Sequence, residues 1–166
     1  MSTNDNLQAA FAGESQANRT YLAFAKKAEA DGFAQVAKLF KAAADAETVH
    51  AHSHLRNLGG INETQANLEA AAAGEAHEFQ SMYPEFVAEA EAEGAQAAMI
   101  GFKNAMAVEE IHHGLYQQAL EAVKGGQDLA AGPIWVCQIC GNTVVGDRPE
   151  QCSVCGVPGE KFNEIN

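Results

Sequence analysis

Two regimes of hydrophobic and polar patterning divide the chain. Residues 1–124 are rich in Ala, Glu, Gln, Leu and Lys, all good helix formers, and Tyr21, Phe40, Ala43, Tyr83 and Phe102 fall on helix faces fit for a core. Glycines at Gly32, Gly59, Gly60 and Gly94 punctuate this stretch, and its only proline is Pro84. The pattern predicts four helices, near 5–31, 33–58, 64–93 and 95–124. Asn4 or Asn62 would suit N-caps, and Gly32, Gly59 and Gly94 would suit C-terminal stops. Pro84 should kink the third helix or remove one of its hydrogen bonds. From Gly125 the helical period ends. Residues 125–133 read as a linker, and residues 134–166 are too few to bury a core unaided, so a metal must staple them.

The helical pattern repeats at an offset of 62 residues. Tyr21, Phe24 and Ala28 match Tyr83, Phe86 and Ala90, and Glu29, Gly32, Phe40, Lys41, Glu47 and His50 match Glu91, Gly94, Phe102, Lys103, Glu109 and His112. Short turns at Gly32 and Gly94 make each helix pair antiparallel. The stretch from Gly59 to about Gln65 then crosses to the second pair. The expected fold class is mainly α: a ferritin-like four-helix bundle with one long crossover over 1–124, joined by the 125–133 linker to a small metal-stapled β/loop domain over 134–166.

The repeat carries chemistry. Glu47/His50 and Glu109/His112 are two copies of Glu-x-x-His, and residues three apart share a helix face. At about 1.5 Å of rise per residue, Glu14 and Glu47 lie roughly 22–27 Å from the Gly32 turn, level within about one helical turn. Glu75, Glu78 and Glu109 stand at similar depth from Gly94. Unpaired carboxylates in a core are costly, and a pair of metals removes that cost. Carboxylates with imidazoles suit iron or manganese better than a thiolate-seeking metal. Glu29, Glu89, Glu91 and Glu93 read as solvated surface residues. His52, His54, His77 and His113 point elsewhere by helical phase, although His54 shares the face of His50. The repeat is broken at one place: Glu14 to Tyr21 spans seven residues, and Glu75 to Tyr83 spans eight. A π-type bulge near residues 76–84 would absorb the extra residue and present Glu75 and Glu78 together.

All four cysteines lie between Cys137 and Cys155 in two Cys-x-x-Cys-Gly knuckles. Cys137, Cys140, Cys152 and Cys155 therefore form a tetrahedral four-sulfur site. The same ligands serve structural zinc or redox iron, and Trp135, Ile139 and Phe162 could wall off the site. With no signal-like N-terminus and no membrane-length apolar run, these cysteines suggest a reducing cytoplasm. The formal net charge of −12 argues against nucleic-acid binding through a basic surface.

Together these features carry a resemblance. The segments Gly13-Glu-Ser-Gln-Ala-Asn-Arg-Thr-Tyr21, Glu47-Thr-Val-His50, Gly74-Glu-Ala-His-Glu-Phe79, Met82-Tyr-Pro-Glu-Phe86 and Glu109-Glu-Ile-His112 look like the ligand-bearing motifs of rubrerythrins. The double knuckle is similar to that family's short rubredoxin-like domain. The resemblance implies a non-haem di-iron peroxidase that reduces hydrogen peroxide to water. It implies that Glu47 and Glu109 bridge two irons, that Glu14 with Glu78 or His50 holds one, and that Glu75 with His112 holds the other. Tyr21 and Tyr83 would donate hydrogen bonds to ligands or peroxide. Iron at the four cysteines, with zinc as a possible substitute, would relay electrons from a reductase or rubredoxin-type donor. A short linker after a long helix is not expected to fold the module back onto its own bundle, and the family precedent implies a homodimer or higher even oligomer in which one subunit's cysteine site serves its partner. Two rival functions remain open: iron oxidation with dioxygen, and a non-enzymatic zinc-stapled binding module.

Overall fold

The computed structural model describes residues 2–166. The chain divides into two compact units, one ending at Asn62 and the other running Glu63–Asn166. The first is a helical hairpin of α1 (Thr3–Ala30) and α2 (Ala34–Asn57). The second contains α3 (Thr64–His77), a π-helical turn (Glu78–Met82), α4 (Tyr83–Ala92) and α5 (Gln96–Lys124), followed by a three-stranded antiparallel sheet of β1 (Ile134–Cys137), β2 (Thr143–Val145) and β3 (Phe162–Glu164) in the order β2-β1-β3. The mainly α fold with a small cysteine-bearing β module is the one the patterning predicts.

Small residues set the helix spacing in the first hairpin. Its buried positions are Ala25 and Ala28 on α1 and Ala37, Ala44 and Ala51 on α2. Small side chains at a helix contact let the axes approach closely. Asn18 fastens the seam by donating from Nδ2 to the Ala44 carbonyl at 2.7 Å and to Thr48 Oγ1 at 2.8 Å. Aromatic clusters follow the sequence repeat. Tyr21 and Phe24 lie 6.3 and 5.5 Å from Phe40, and Tyr83 and Phe86 lie 6.2 and 5.6 Å from Phe102, centroid to centroid.

Helix ends are fixed by backbone chemistry. Gly32 and Gly94 have φ of +85° and +71°, and the next residues, Phe33 and Ala95, donate back to Ala28 and Ala90. This six-residue closure needs a left-handed residue, which glycine supplies without steric cost. The N-caps differ from expectation. Ser2, not Asn4, caps α1 through a reciprocal box with Asp5. At α3 the cap position falls to Glu63, one residue beyond Asn62, whose Nδ2 donates to the Gly59 carbonyl at 3.1 Å.

The break in the repeat is a π turn. Tyr83 N–H donates to the Glu78 carbonyl, five residues back. Pro84, which has no N–H, sits in the first turn of α4, where a missing donor costs little. The extra residue between Glu75 and Tyr83 is absorbed there. Glu75 consequently keeps the helical phase that Glu14 has without a bulge.

In the β module Gly159 is buried and donates to the Glu150 carbonyl at 2.7 Å. A Cβ on Gly159 would lie 2.0 Å from the Pro149 carbonyl oxygen, so backbone must move to admit it. Gly159→Ala should destabilise the module by about 3 kcal/mol and lower the temperature at which it loses metal. Helical ellipticity should be unchanged; comparing metal release with far-UV melting measures both.

Candidate metal centres

Three groups of potential ligands converge. In the first unit Glu14, Glu47 and His50 bring one donor atom each within 4.8 Å of one another. Nδ1 of His50 is 2.9 Å from Glu47 Oε2 and 3.9 Å from Glu14 Oε1. In the second unit Glu75, Glu109 and His112 repeat the arrangement, with His112 Nδ1 2.8 Å from Glu109 Oε2 and 3.8 Å from Glu75 Oε1. A metal with bonds of about 2.1 Å holds neighbouring donors roughly 3.0–4.2 Å apart, so each triad fits an ion of its own with little movement.

Glu78 stands outside the second triad but close to it. Burial pushes the Glu75 carboxyl from its usual 4.5 up to about 7, with Glu109 and then Glu78 adding to the shift. The Tyr83 phenol is also pushed up by burial, then by Glu109, Glu78 and Glu75. Hairpin one has Ala17 at the place corresponding to Glu78. The spare carboxylate therefore belongs to one half of the repeat only.

The third group is Cys137, Cys140, Cys152 and Cys155. Sγ atoms of Cys137 and Cys155 are 3.8 Å apart, and those of Cys140 and Cys152 are 3.6 Å apart. These separations are far too long for disulfides. A tetrahedral ion with metal–sulfur bonds of about 2.3 Å sets its sulfurs roughly 3.8 Å apart, so the donors fit. Cys137, Cys152 and Phe162 are buried together, with Trp135, Val144, Val154 and Val157 packed around them. Ile139 is exposed and walls off nothing. Burial raises the Cys140 thiol. At Cys152 burial acts the same way, but backbone N–H groups of Cys155 and Val154 and the Asn142 amide outweigh it and bring the thiol down to about 6. The Asn142 side chain is 1% exposed and donates toward Cys152 Sγ at 3.6 Å.

The module lies against α5 of its own chain. Thr143 Oγ1 is 2.9 Å from His112 Nε2, a contact between residues 31 apart that no motif announces. This departs from the expectation that the linker would not return the module to its own helices, and the physical reason is reach. Gly126, with φ +70°, and Gln127, bonded to Ala122, reverse the chain after α5. Nine linker residues can span about 30 Å, whereas His112 lies only about 18 Å back along the helix from Lys124. His113 has a structural role, 2.8 Å from the Ala72 carbonyl and with its ring tilted against that of Phe79 at 5.6 Å.

The rubrerythrin family profile covers residues 5–120, and the profile for the rubrerythrin rubredoxin-like domain covers residues 135–163. The chain belongs to the rubrerythrin family. Rubrerythrin-2 of Clostridium acetobutylicum is 33% identical over 96% of this chain and 95% of its own length. Rubrerythrin of Nitratidesulfovibrio vulgaris is 35% identical, over 96% and 92%. Among solved structures, fully reduced, all-ferrous nigerythrin aligns with a TM-score of 0.59 at 31% identity, covering 99% of this chain and 87% of that one. As a member of this oxidoreductase family, the chain carries the carboxylate–histidine donors of a di-iron protein and a four-cysteine rubredoxin-like site. Among the described residues no helix is long and apolar enough to cross a membrane.

The raised Glu75 carboxyl gives a signed pH effect. Between about pH 4.5 and pH 7 the unfolded chain ionises Glu75 while the folded, metal-free chain keeps it protonated. Stability from this group is therefore present below pH 4.5 and falls as pH rises toward 7. Metal-free Glu75→Gln should lack that component, so its melting temperature should gain on wild type as pH rises from 5 to 7. Parallel melting curves across this window would contradict the assignment.

Proposed function

We propose that this protein is a peroxidase that reduces hydrogen peroxide to water with electrons passed through its four-cysteine site. The observation that carries this reading is the 2.9 Å bond from Thr143, in the module, to His112, in a carboxylate–imidazole triad. A redox-type module held against a metal ligand has a use in electron delivery, and none in a storage shell. Iron bound at the two triads would supply a pair of electrons for O–O cleavage, with iron at the four cysteines as their relay.

The chain's own groups suit such a reaction. Glu14, Glu47 and His50, and Glu75, Glu109 and His112, supply two hard-donor triads, each for one iron. Glu78 is a further carboxylate beside the second triad. Tyr83, kept protonated by burial and by the surrounding carboxylates, can donate its O–H to a peroxide oxygen, and Tyr21 is its counterpart in the repeat. Cys152, with its thiol down at about 6 and its sulfur facing the Asn142 amide, favours the thiolate that metal binding requires. A homodimer or higher even assembly and a reductase or rubredoxin-type donor complete the reading, as the family resemblance implies.

Rapid mixing of fully reduced protein with peroxide or with dioxygen separates this function from iron oxidation. Reoxidation should be much faster with peroxide; the reverse order would favour the dioxygen-using alternative. Metal analysis should give three irons per chain, whereas two irons with one zinc would weaken the relay. Cys155→Ser should reduce turnover with an external reductase by roughly 100-fold or more, and single-turnover oxidation of the reduced triads should persist. Undiminished steady-state turnover in that variant would remove the cysteine site from the electron path.

A further inference from the structure

We propose that Thr143, a residue of the cysteine module, is a positioning residue for the metal ligand His112. The inference rests on the reading that Glu75, Glu109 and His112 hold a metal, and it concerns the opposite side of the imidazole ring. Nδ1 faces the two carboxylates at 2.8 and 3.8 Å, and Nε2 faces Thr143 Oγ1 at 2.9 Å. An imidazole that binds metal through Nδ1 carries its proton on Nε2. Thr143 then accepts that proton's hydrogen bond, and its own hydroxyl donates to the Gly141 carbonyl at 3.3 Å. Both donors of this relay, His112 Nε2 and the Thr143 hydroxyl, then have an acceptor.

The hydroxyl is also held firmly. Thr143 begins β2 and pairs with Val136 of β1, next to Cys137. Gly141, its acceptor, follows Cys140 directly and bonds back to the Cys137 carbonyl at 2.9 Å. A Cβ on Gly141 would lie 3.8 Å from Cγ1 of Val108, which is buried one helical turn before His112. A side chain at Gly141 would therefore meet α5 at Val108, and the hydrogen bond itself forms one turn on, at His112. Folding of the four-cysteine knuckle sets the hydroxyl, and the hydroxyl sets the tautomer and ring plane of His112.

The repeat supplies an internal contrast. His50 matches His112 in its Nδ1 geometry, yet its side chain is 54% exposed, against 26% for His112. Of these two duplicated imidazoles, the second is braced by the module. Its triad should bind metal with a ring already oriented.

The test uses full-length protein loaded with zinc at every site, which is diamagnetic throughout. Thr143→Val keeps shape and strand preference but removes the hydroxyl, and Thr143→Ser restores it. In wild type and Thr143→Ser, nitrogen-15 NMR of His112 should show the Nε2–H tautomer with a slowly exchanging proton. In Thr143→Val that proton should exchange rapidly, and chelator competition should show roughly 10- to 100-fold weaker zinc binding at the Glu75 triad. Zinc at the four cysteines should be retained in all three. Equal affinity and unchanged His112 signals in Thr143→Val would overturn the proposal, as would loss of cysteine-bound zinc in both variants, which would make Thr143 a folding residue. Wild type that binds zinc only at its cysteines would instead overturn the underlying metal reading, so the two failures are distinguishable.

Discussion

Negative charge crowded between closely packed helices is the constraint on which the rest of the structure depends. Two carboxylates about 4 Å apart repel by roughly 4 kcal/mol where the effective dielectric constant is near 20. That exceeds what exposed ion pairs such as Lys27–Asp31 or Lys41–Glu29 return, about 0–1 kcal/mol each. Without a cation the second triad relieves the strain by keeping a proton on Glu75. A divalent ion held by Glu75, Glu109 and His112 would take the place of that proton. The cysteine site poses the same problem with sulfur: four side chains at 3.6–3.8 Å spacing, too far apart to bond and too close for four free thiolates. Both centres are shapes that make chemical sense around a metal.

Helical phase determines which carboxylates share that burden. Glu-x-x-His places two ligands on one helix face in each half of the repeat. The third ligand must arrive from the neighbouring helix at the same phase, and in the second half an inserted residue would rotate it by about 100°. The π turn at Glu78–Met82 cancels that rotation. It also brings in Glu78, which has no acidic counterpart at Ala17. One insertion therefore preserves the duplicated triad and makes its surroundings asymmetric.

Most of this was legible in the chain because it is periodic. Glu47/His50 and Glu109/His112 announce their faces by spacing, the cysteine knuckles announce their geometry, and the count from Glu75 to Tyr83 announces the π turn. Features set by single contacts were not legible. Asn62 has the composition of a cap, but α3 begins one residue later and its cap position is Glu63. Asn4 looks like the cap of α1, but Ser2 closes the capping box with Asp5. Ile139 looks like a wall of the cysteine site and faces solvent. Thr143 is an ordinary strand residue until the chain reversal at Gly126 brings it to His112.

That reversal changes what the linker means. Nine residues after a long helix suggest a module reaching away, yet the distance back to His112 is well within the linker's span. The returning module covers the Nε2 edge of His112. Duplication built two similar triads; the π turn and the module then distinguished them, one by adding a carboxylate and the other by fixing a ring. Both changes fall on the half that carries Glu75, Glu78, Glu109 and His112. The cysteine module and this triad are thus joined at α5 by the Thr143–His112 hydrogen bond, so a change in the fold of the knuckle reaches an imidazole of the triad through one hydroxyl group.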